Sequence, residues 1–198
     1  MKARARDPDD FKEDFDFMKH LPEETKNFDE MKEMRVMTKD EMRKMVMEVN
    51  NPGYEVIVLD ERFNHLSEIV PHLYLTSVGG LNKEDLKAKN IGFIVNATIE
   101  LPRMKEYRYH TLRIPVEDNR GAAIRPFLDH TADAINELLY KKKNVVVHCQ
   151  AGVSRSATLV MAYLIKHLRR NLREAYNIVV SKRPVARPNT TFLHALIK

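Results

Sequence analysis

The residues best placed for chemistry lie in one stretch, Val145-Val146-Val147-His148-Cys149-Gln150-Ala151-Gly152-Val153-Ser154-Arg155-Ser156. The β-branched run predicts a buried strand, and the apolar segment from Ala157 to Leu168 predicts a helix. Between them a glycine-containing loop carries a cysteine at one end and an arginine at the other. Such a loop points backbone N–H groups of residues 150–155 into a concavity, and the helix N-terminus adds positive potential. That is a ready site for phosphate or sulfate. Arg155 adds a planar fork able to hold two oxygens of one anion. A cysteine in such a field is favoured as the thiolate. Beneath a bound phosphoryl group it is a nucleophile aimed at phosphorus, with a phosphocysteine as the intermediate. Amides and guanidinium neutralise the developing charge, so the chemistry requires neither metal nor cofactor. The eight histidines show no metal-ligand spacing.

The plain alternative is a buried structural cysteine beside an unrelated arginine. His-Cys-x-x-Gly-x-x-Arg-Ser specifies five positions, however, and at average residue usage the odds of a chance match in this length are below about one in ten thousand. The flanking strand and helix are also the context the mechanism needs. A departing alkoxide or phenolate requires a proton donor. Glu117 and Asp118 both follow a predicted strand, and the chemistry by itself leaves both open.

The elements that must position these groups alternate. Ile69 to Thr76 reads as a strand whose start is marked by Pro71, with a turn at Gly79-Gly80. Asn82 with Asp85 opens a short helix, Lys83 to Lys89. Ile91 to Ala97 is a buried strand, and Tyr107 to Val116 alternates as another. Ile124 to Tyr140 is a long amphipathic helix. The strand Asn144 to His148 and the Ala157 helix follow. Asn171 and Glu174 form a capping-box-like pair opening a helix to about Ser181. Pro184 and Pro188 break the chain before a last helix from Thr190. This alternation predicts an α/β fold, a central and mostly parallel twisted sheet flanked by helices, with ligands bound beyond the carboxyl ends of its strands.

Residues 1–64 read differently, as a partly helical N-terminal extension before a domain at 65–198. Thr38 and Glu41 suit a capping box, Met42, Met45, Val46 and Val49 form one helical face, and Tyr54 to Leu59 suits an edge strand. Eight of the ten methionines lie in residues 1–47. Of the 33 basic and 28 acidic residues of the 198-residue chain, 12 and 17 lie in 1–64, leaving 21 and 11 for the rest. An extension of net charge −5 therefore precedes a domain of net charge +10. Attraction of anionic substrates to that domain is one expectation, as is docking of the extension on its own domain or on a partner; a solvated charge surplus with no role is the equal alternative. One cysteine excludes an internal disulfide framework. With no leader and no run near the roughly 18 apolar residues of a membrane span, no membrane insertion is expected, and cytosol or nucleus is the expected location.

The stretch His148 to Ser156 resembles the signature of cysteine-dependent protein phosphatases, specifically the small atypical dual-specificity phosphatases. Leu73-Tyr74-Leu75, Ile94-Val95-Asn96-Ala97-Thr98, Ile114-Pro115-Val116-Glu117-Asp118, Ala162-Tyr163-Leu164-Ile165-Lys166 and Arg183-Pro184-Val185-Ala186-Arg187-Pro188-Asn189 are similar to that family's blocks, in its order. The resemblance covers about residues 65–198. It implies Cys149 as nucleophile, Arg155 as the phosphate-binding arginine, and Gln150, Ala151, Gly152, Val153, Ser154 and Arg155 as the oxyanion cradle. It implies Ser156 as the hydroxyl that stabilises the leaving thiolate, and it selects Asp118 as the general acid. His148 is expected to hydrogen-bond loop backbone and tune Cys149 rather than transfer protons. Asn96 and Asn189 are expected to brace the loop.

The same resemblance implies phosphorylated proteins as substrates and partners, kinases being one candidate class, with no nucleic acid expected. Lysines inside the loop are typical of phosphoinositide phosphatases, and Gln150, Ala151, Val153 and Ser154 supply none. RNA-triphosphatase relatives usually carry Thr where Ser156 stands. A separate phosphotyrosine-recognition segment is not apparent, which implies a shallow pocket open to phosphotyrosine, phosphoserine and phosphothreonine. The alternatives are a low-turnover phosphoprotein-binding scaffold and a phosphatase acting on RNA 5′-phosphates or phosphoinositides.

Overall fold

The computed structural model describes residues 63–101 and 109–197. The expected Thr38 helix, the Tyr54 edge strand and the start of the Tyr107 strand lie outside the described residues. The elements run β1 (Ser67–Val70), β2 (Leu73–Ser77), a short 3-10 turn (Val78–Gly80) and α1 (Lys83–Ala88). Then come β3 (Ile91–Asn96), β4 (His110–Arg113), α2 (Arg125–Tyr140), β5 (Asn144–Cys149), α3 (Arg155–Lys166), α4 (Leu172–Lys182) and α5 (Thr190–Ala195). The five strands form one sheet in the order β1-β2-β5-β3-β4. Among the described residues only the β1–β2 pair is antiparallel, so the predicted mostly parallel sheet between helices is what forms.

The central strands are buried on both faces, which is why they read as continuous apolar runs. Alternation survives in where the side chains go. Leu73, Leu75, Phe93, Val95, Val145 and Val147 join the large core with residues of α2, α3 and α4, whereas Tyr74, Ile94 and Val146 join a smaller core with Leu86 of α1. Period two thus builds two apolar layers from one sheet. On α3 every residue from Arg155 to Leu164 is buried. Removing an aliphatic side chain from water is worth about 1.5–3 kcal/mol, so Leu159, Val160 and Leu164 alone hold this helix firmly against the sheet.

Several boundaries shift by a residue or two, and three differences from the sequence expectation have a definite physical cause. Ile69 to Thr76 is two strands, not one. Val70 pairs with Leu73 across a two-residue turn, and His72 adopts φ 71° after Pro71, the type II pattern that reverses the chain. The strand expected to reach Val116 ends at Arg113, because Pro115 has no N–H to continue a ladder. The helix expected from Ala157 begins two residues earlier at Arg155, since Arg155 and Ser156 turn their polar groups inward to the site. Two expected caps form as read. Asn82 accepts from the Asp85 amide, and Asn171 and Glu174 make a complete capping box.

Candidate active site

Strand β5 runs between β2 and β3 and is parallel to both, with Cys149 opposite Ser77 and His148 opposite Asn96. The chain therefore leaves the sheet at Cys149 beyond the carboxyl ends of three adjacent strands. Gly152 turns the loop at φ 64°. A Cβ there would stand 2.4 Å from the Thr76 carbonyl oxygen and 2.6 Å from Arg183 Nη2, so only glycine fits. The loop is stitched to its surroundings by Val78 N–H donating to the Gln150 carbonyl (3.1 Å) and Arg187 N–H to the Val153 carbonyl (2.8 Å). No side chain caps α3, leaving its first turn to face whatever occupies the loop.

Cys149 is 1% exposed, and the Ser156 hydroxyl donates to its Sγ at 3.1 Å. Arg155, 3% exposed, is gripped end-on by Glu100. Nη1 donates to Oε2 at 2.7 Å and Nη2 to Oε1 at 2.6 Å, while Nη1 also donates to the Val116 carbonyl at 3.0 Å. Nε has no hydrogen-bond partner although it is buried. Among the described residues, the unengaged donors of Arg155 are therefore Nε–H and the second Nη2–H, which share one edge of the guanidinium. An unsatisfied buried donor calls for a ligand, and this edge matches two oxygens of a tetrahedral oxyanion. Burial works against the charge on Arg155, but the hydrogen bonds and charge of Glu100, with Cys149 and Asp118 nearby, outweigh it and raise its pKa, so the guanidinium stays charged.

Asp118 stands across the loop. Its Oδ1 accepts from Ser154 Oγ (2.9 Å) and Asn189 Nδ2 (3.0 Å), and Oδ2 lies 3.8 Å from Arg155 Nε. One oxygen is anchored and the other faces the anion edge. Glu117 is turned away, exposed, and accepts from Asn119 Nδ2 at 2.6 Å. Asn189 also donates its backbone N–H to Ser154 Oγ and caps α5 through Oδ1, so it ties acid, loop and helix together.

His148 is fully buried with Nδ1 unpartnered. Burial pushes its pKa down to about 4; the Cys149 backbone pulls the other way and is outweighed, so the ring is neutral near pH 7. Asn96 binds elsewhere than expected. It holds the loop after β3, donating to the Leu101 carbonyl and accepting from Thr98 Oγ1, rather than the phosphate loop. That loop presents Glu100, so Asn96 bears on Arg155 at one remove.

Two residues of this neighbourhood were not singled out from sequence, Glu100 and Arg183. Glu100 stands two residues after the Asn96-Ala97-Thr98 block, and Arg183 begins the Arg183-to-Asn189 block, which was the available signal. Phe63 and Asn64, on the far side of the boundary expected at 64/65, already bond to the fold. The Phe63 carbonyl accepts from Arg183, and Asn64 Oδ1 accepts from Ser77 Oγ. No group of three His, Cys, Asp or Glu among the described residues is arranged to hold a metal ion.

The sequence profile of the dual specificity phosphatase catalytic domain matches residues 73–198, and the chain belongs to that family. It is 45% identical over 116 residues to dual specificity protein phosphatase 14 of Homo sapiens, spanning 59% of this chain and 59% of that protein. The chain thus matches about three fifths of that relative's length. The crystal structure of human DUSP28 superposes with a TM-score of 0.62 at 31% identity, covering 66% of this chain and 89% of that one. The human tyrosine phosphatase-like serine/threonine/tyrosine-interacting protein superposes with a TM-score of 0.61 at 29% identity, covering 67% and 93%.

Proposed function

We propose that this chain hydrolyses phosphate monoesters on protein tyrosine, serine and threonine side chains through a phosphocysteine, without a metal. The observation that carries this reading is the free Nε/Nη2 edge of Arg155 in the same loop as Cys149, with Asp118 Oδ2 facing it. In the first step Cys149 Sγ attacks phosphorus and the ester P–O bond breaks. Its electron pair goes to the leaving oxygen, which takes a proton from Asp118 Oδ2. In the second step Asp118 removes a proton from water as the water oxygen attacks phosphorus. The S–P bond then breaks, and the Ser156 hydroxyl stabilises the returning thiolate. The loop amides and Arg155 hold the equatorial oxygens in both steps.

The experiment is hydrolysis of an aryl phosphate and of phosphotyrosyl and phosphothreonyl peptides in excess chelator. Cys149→Ser is expected to abolish turnover and to trap phosphopeptide, and full activity of that variant overturns the reading. A second reading, phosphopeptide binding without turnover, draws support from the likeness to the relative named an interacting protein. Tight binding with no detectable turnover by the unaltered chain is the outcome that favours it. The charge contrast between residues 1–64 and the rest supports docking of the extension on its own domain. Adding salt would then raise activity of the whole chain at subsaturating substrate, and a monotonic fall with salt sinks the idea.

A further inference from the structure

Arg183 is fully buried, at 0% exposure, in α4's C-terminal boundary, and the mechanism above does not use it. Its guanidinium lies against the outer side of the phosphate loop. Nε donates to the Gly152 carbonyl at 2.7 Å and Nη2 to the Ala151 carbonyl at 3.2 Å. Nη1 donates to the His65 carbonyl (3.1 Å) and Ser67 Oγ (3.3 Å), and Nη2 also reaches the Phe63 carbonyl (2.8 Å). Among the described residues all five acceptors are neutral. A buried cation held only by dipoles is costly, and burial lowers its pKa to about 10, while negative charge at Cys149 pulls it back up.

The two loop carbonyls explain what this cost obtains. Every peptide bond here is trans, and in a trans peptide the C=O and N–H of one plane point in opposite directions. The Ala151 carbonyl shares its plane with the Gly152 N–H, and the Gly152 carbonyl with the Val153 N–H. Gripping both oxygens from outside turns both N–H groups inward. The same guanidinium binds Phe63 and His65, so the chain leading into β1 and the phosphate loop share one fastening point.

We propose that Arg183 is a positioning residue for the phosphate cradle: by holding the Ala151 and Gly152 carbonyls it orients the Gly152 and Val153 amides toward the bound anion. The proposal rests on the reading of residues 149–155 as an oxyanion cradle, though not on turnover. It places a specificity for tetrahedral anions in a side chain that never touches them, and it makes the position of residues 63–65 part of the cradle's geometry.

The test compares the parent with Arg183→Lys and Arg183→Gln by two measurements that need no catalysis. One is the dissociation constant of inorganic phosphate. The other is the ratio of Cys149 alkylation rates by anionic iodoacetate and neutral iodoacetamide, clean because the chain has one cysteine. In variants with the parent's circular dichroism, phosphate binding is expected to weaken at least about tenfold and the alkylation ratio to fall by a similar factor. Where turnover is present, KM rises more than kcat falls. Both quantities within twofold of the parent would overturn the proposal. If neither variant folds, the unaltered protein decides by NMR. On titration with phosphate the Arg183 Nε–H signal should move with the Gly152 and Val153 amides along one binding curve, and a stationary Arg183 signal overturns it. Phosphate binding without turnover would count against the phosphatase and leave Arg183 standing, so the two failures are distinguishable.

Discussion

Glu100 meets Arg155 end-on, Oε1 to Nη2 at 2.6 Å and Oε2 to Nη1 at 2.7 Å, and so decides which edge of the guanidinium is left for an anion. A carboxylate gripping the side-on edge would compete with substrate for the same donors. Gripping the far edge instead fixes the plane of the guanidinium and leaves Nε–H exposed to the loop's interior. Glu100 is itself half-buried. Burial alone would raise its pKa, but the hydrogen bonds from Arg155 prevail and hold the carboxyl below the usual range.

Glu100→Gln keeps the shape of the pair but removes its charge. Hydrogen bonds to charged groups contribute about 1.5–3 kcal/mol, so phosphate binding is expected to weaken by roughly tenfold or more. Steady-state kinetics with phosphate as competitive inhibitor measures it. An unchanged inhibition constant would show that Arg155 is positioned without Glu100.

Asp118→Asn is expected to lower kcat/KM, which reports the first step alone, by about 10²–10⁴-fold for alkyl phosphates, the range of general acid catalysis, and much less for an activated aryl phosphate. Glu117→Gln, turned to solvent and to Asn119, should stay within twofold for both. A leaving-group series for the three proteins measures this, and equal losses across the series would remove Asp118 as the acid.

Ser156→Ala withdraws the donor 3.1 Å from Sγ. Loss of a hydrogen bond to a developing thiolate, about 1.5–3 kcal/mol, slows breakdown of the phosphocysteine by roughly ten- to a hundredfold. Rapid-quench kinetics should then show a burst of aryl alcohol before a slow steady state. A uniform slowing with no burst refutes the role.

His148 links site and stability through pH. Its folded pKa of about 4 lies below the unfolded value of about 6.5, so the unfolded chain binds the extra proton between these values. The neutral ring's contribution is complete above pH 6.5 and is lost as pH falls toward 4, about 3 kcal/mol in all. Glu100, whose folded pKa is also depressed, acts in the same direction at lower pH: its contribution is present above about 4.5 and lost below. Urea unfolding of the parent between pH 7.5 and 4.5 should show the decline, and His148→Gln should flatten it. An equal slope in the variant would assign the decline to other groups.

What local sequence determined is what neighbouring residues settle among themselves. The Val145-to-Val147 run had to be a central strand because only a two-faced burial uses three such residues in succession. Gly152 had to turn the loop, and Asn82 with Asp85, and Asn171 with Glu174, had to cap helices, because each pair completes its bonds within three residues. The order Cys149, Gly152, Arg155, Ser156 carried the chemistry for the same reason. What only tertiary structure decided joins residues far apart in the chain. Arg155 meets Glu100 from 55 positions away, and Ser154 meets Asp118 from 36. Arg183 reaches back 120 positions to Phe63 and 31 to Gly152. That Asp118 faces Arg155 while Glu117 turns to Asn119, and that Asn96 bonds on the Glu100 loop rather than on the phosphate loop, depends on which way each side chain faced once the sheet had brought these loops to one edge. No local pattern encodes that direction, because it depends on the packing of the two apolar layers beneath.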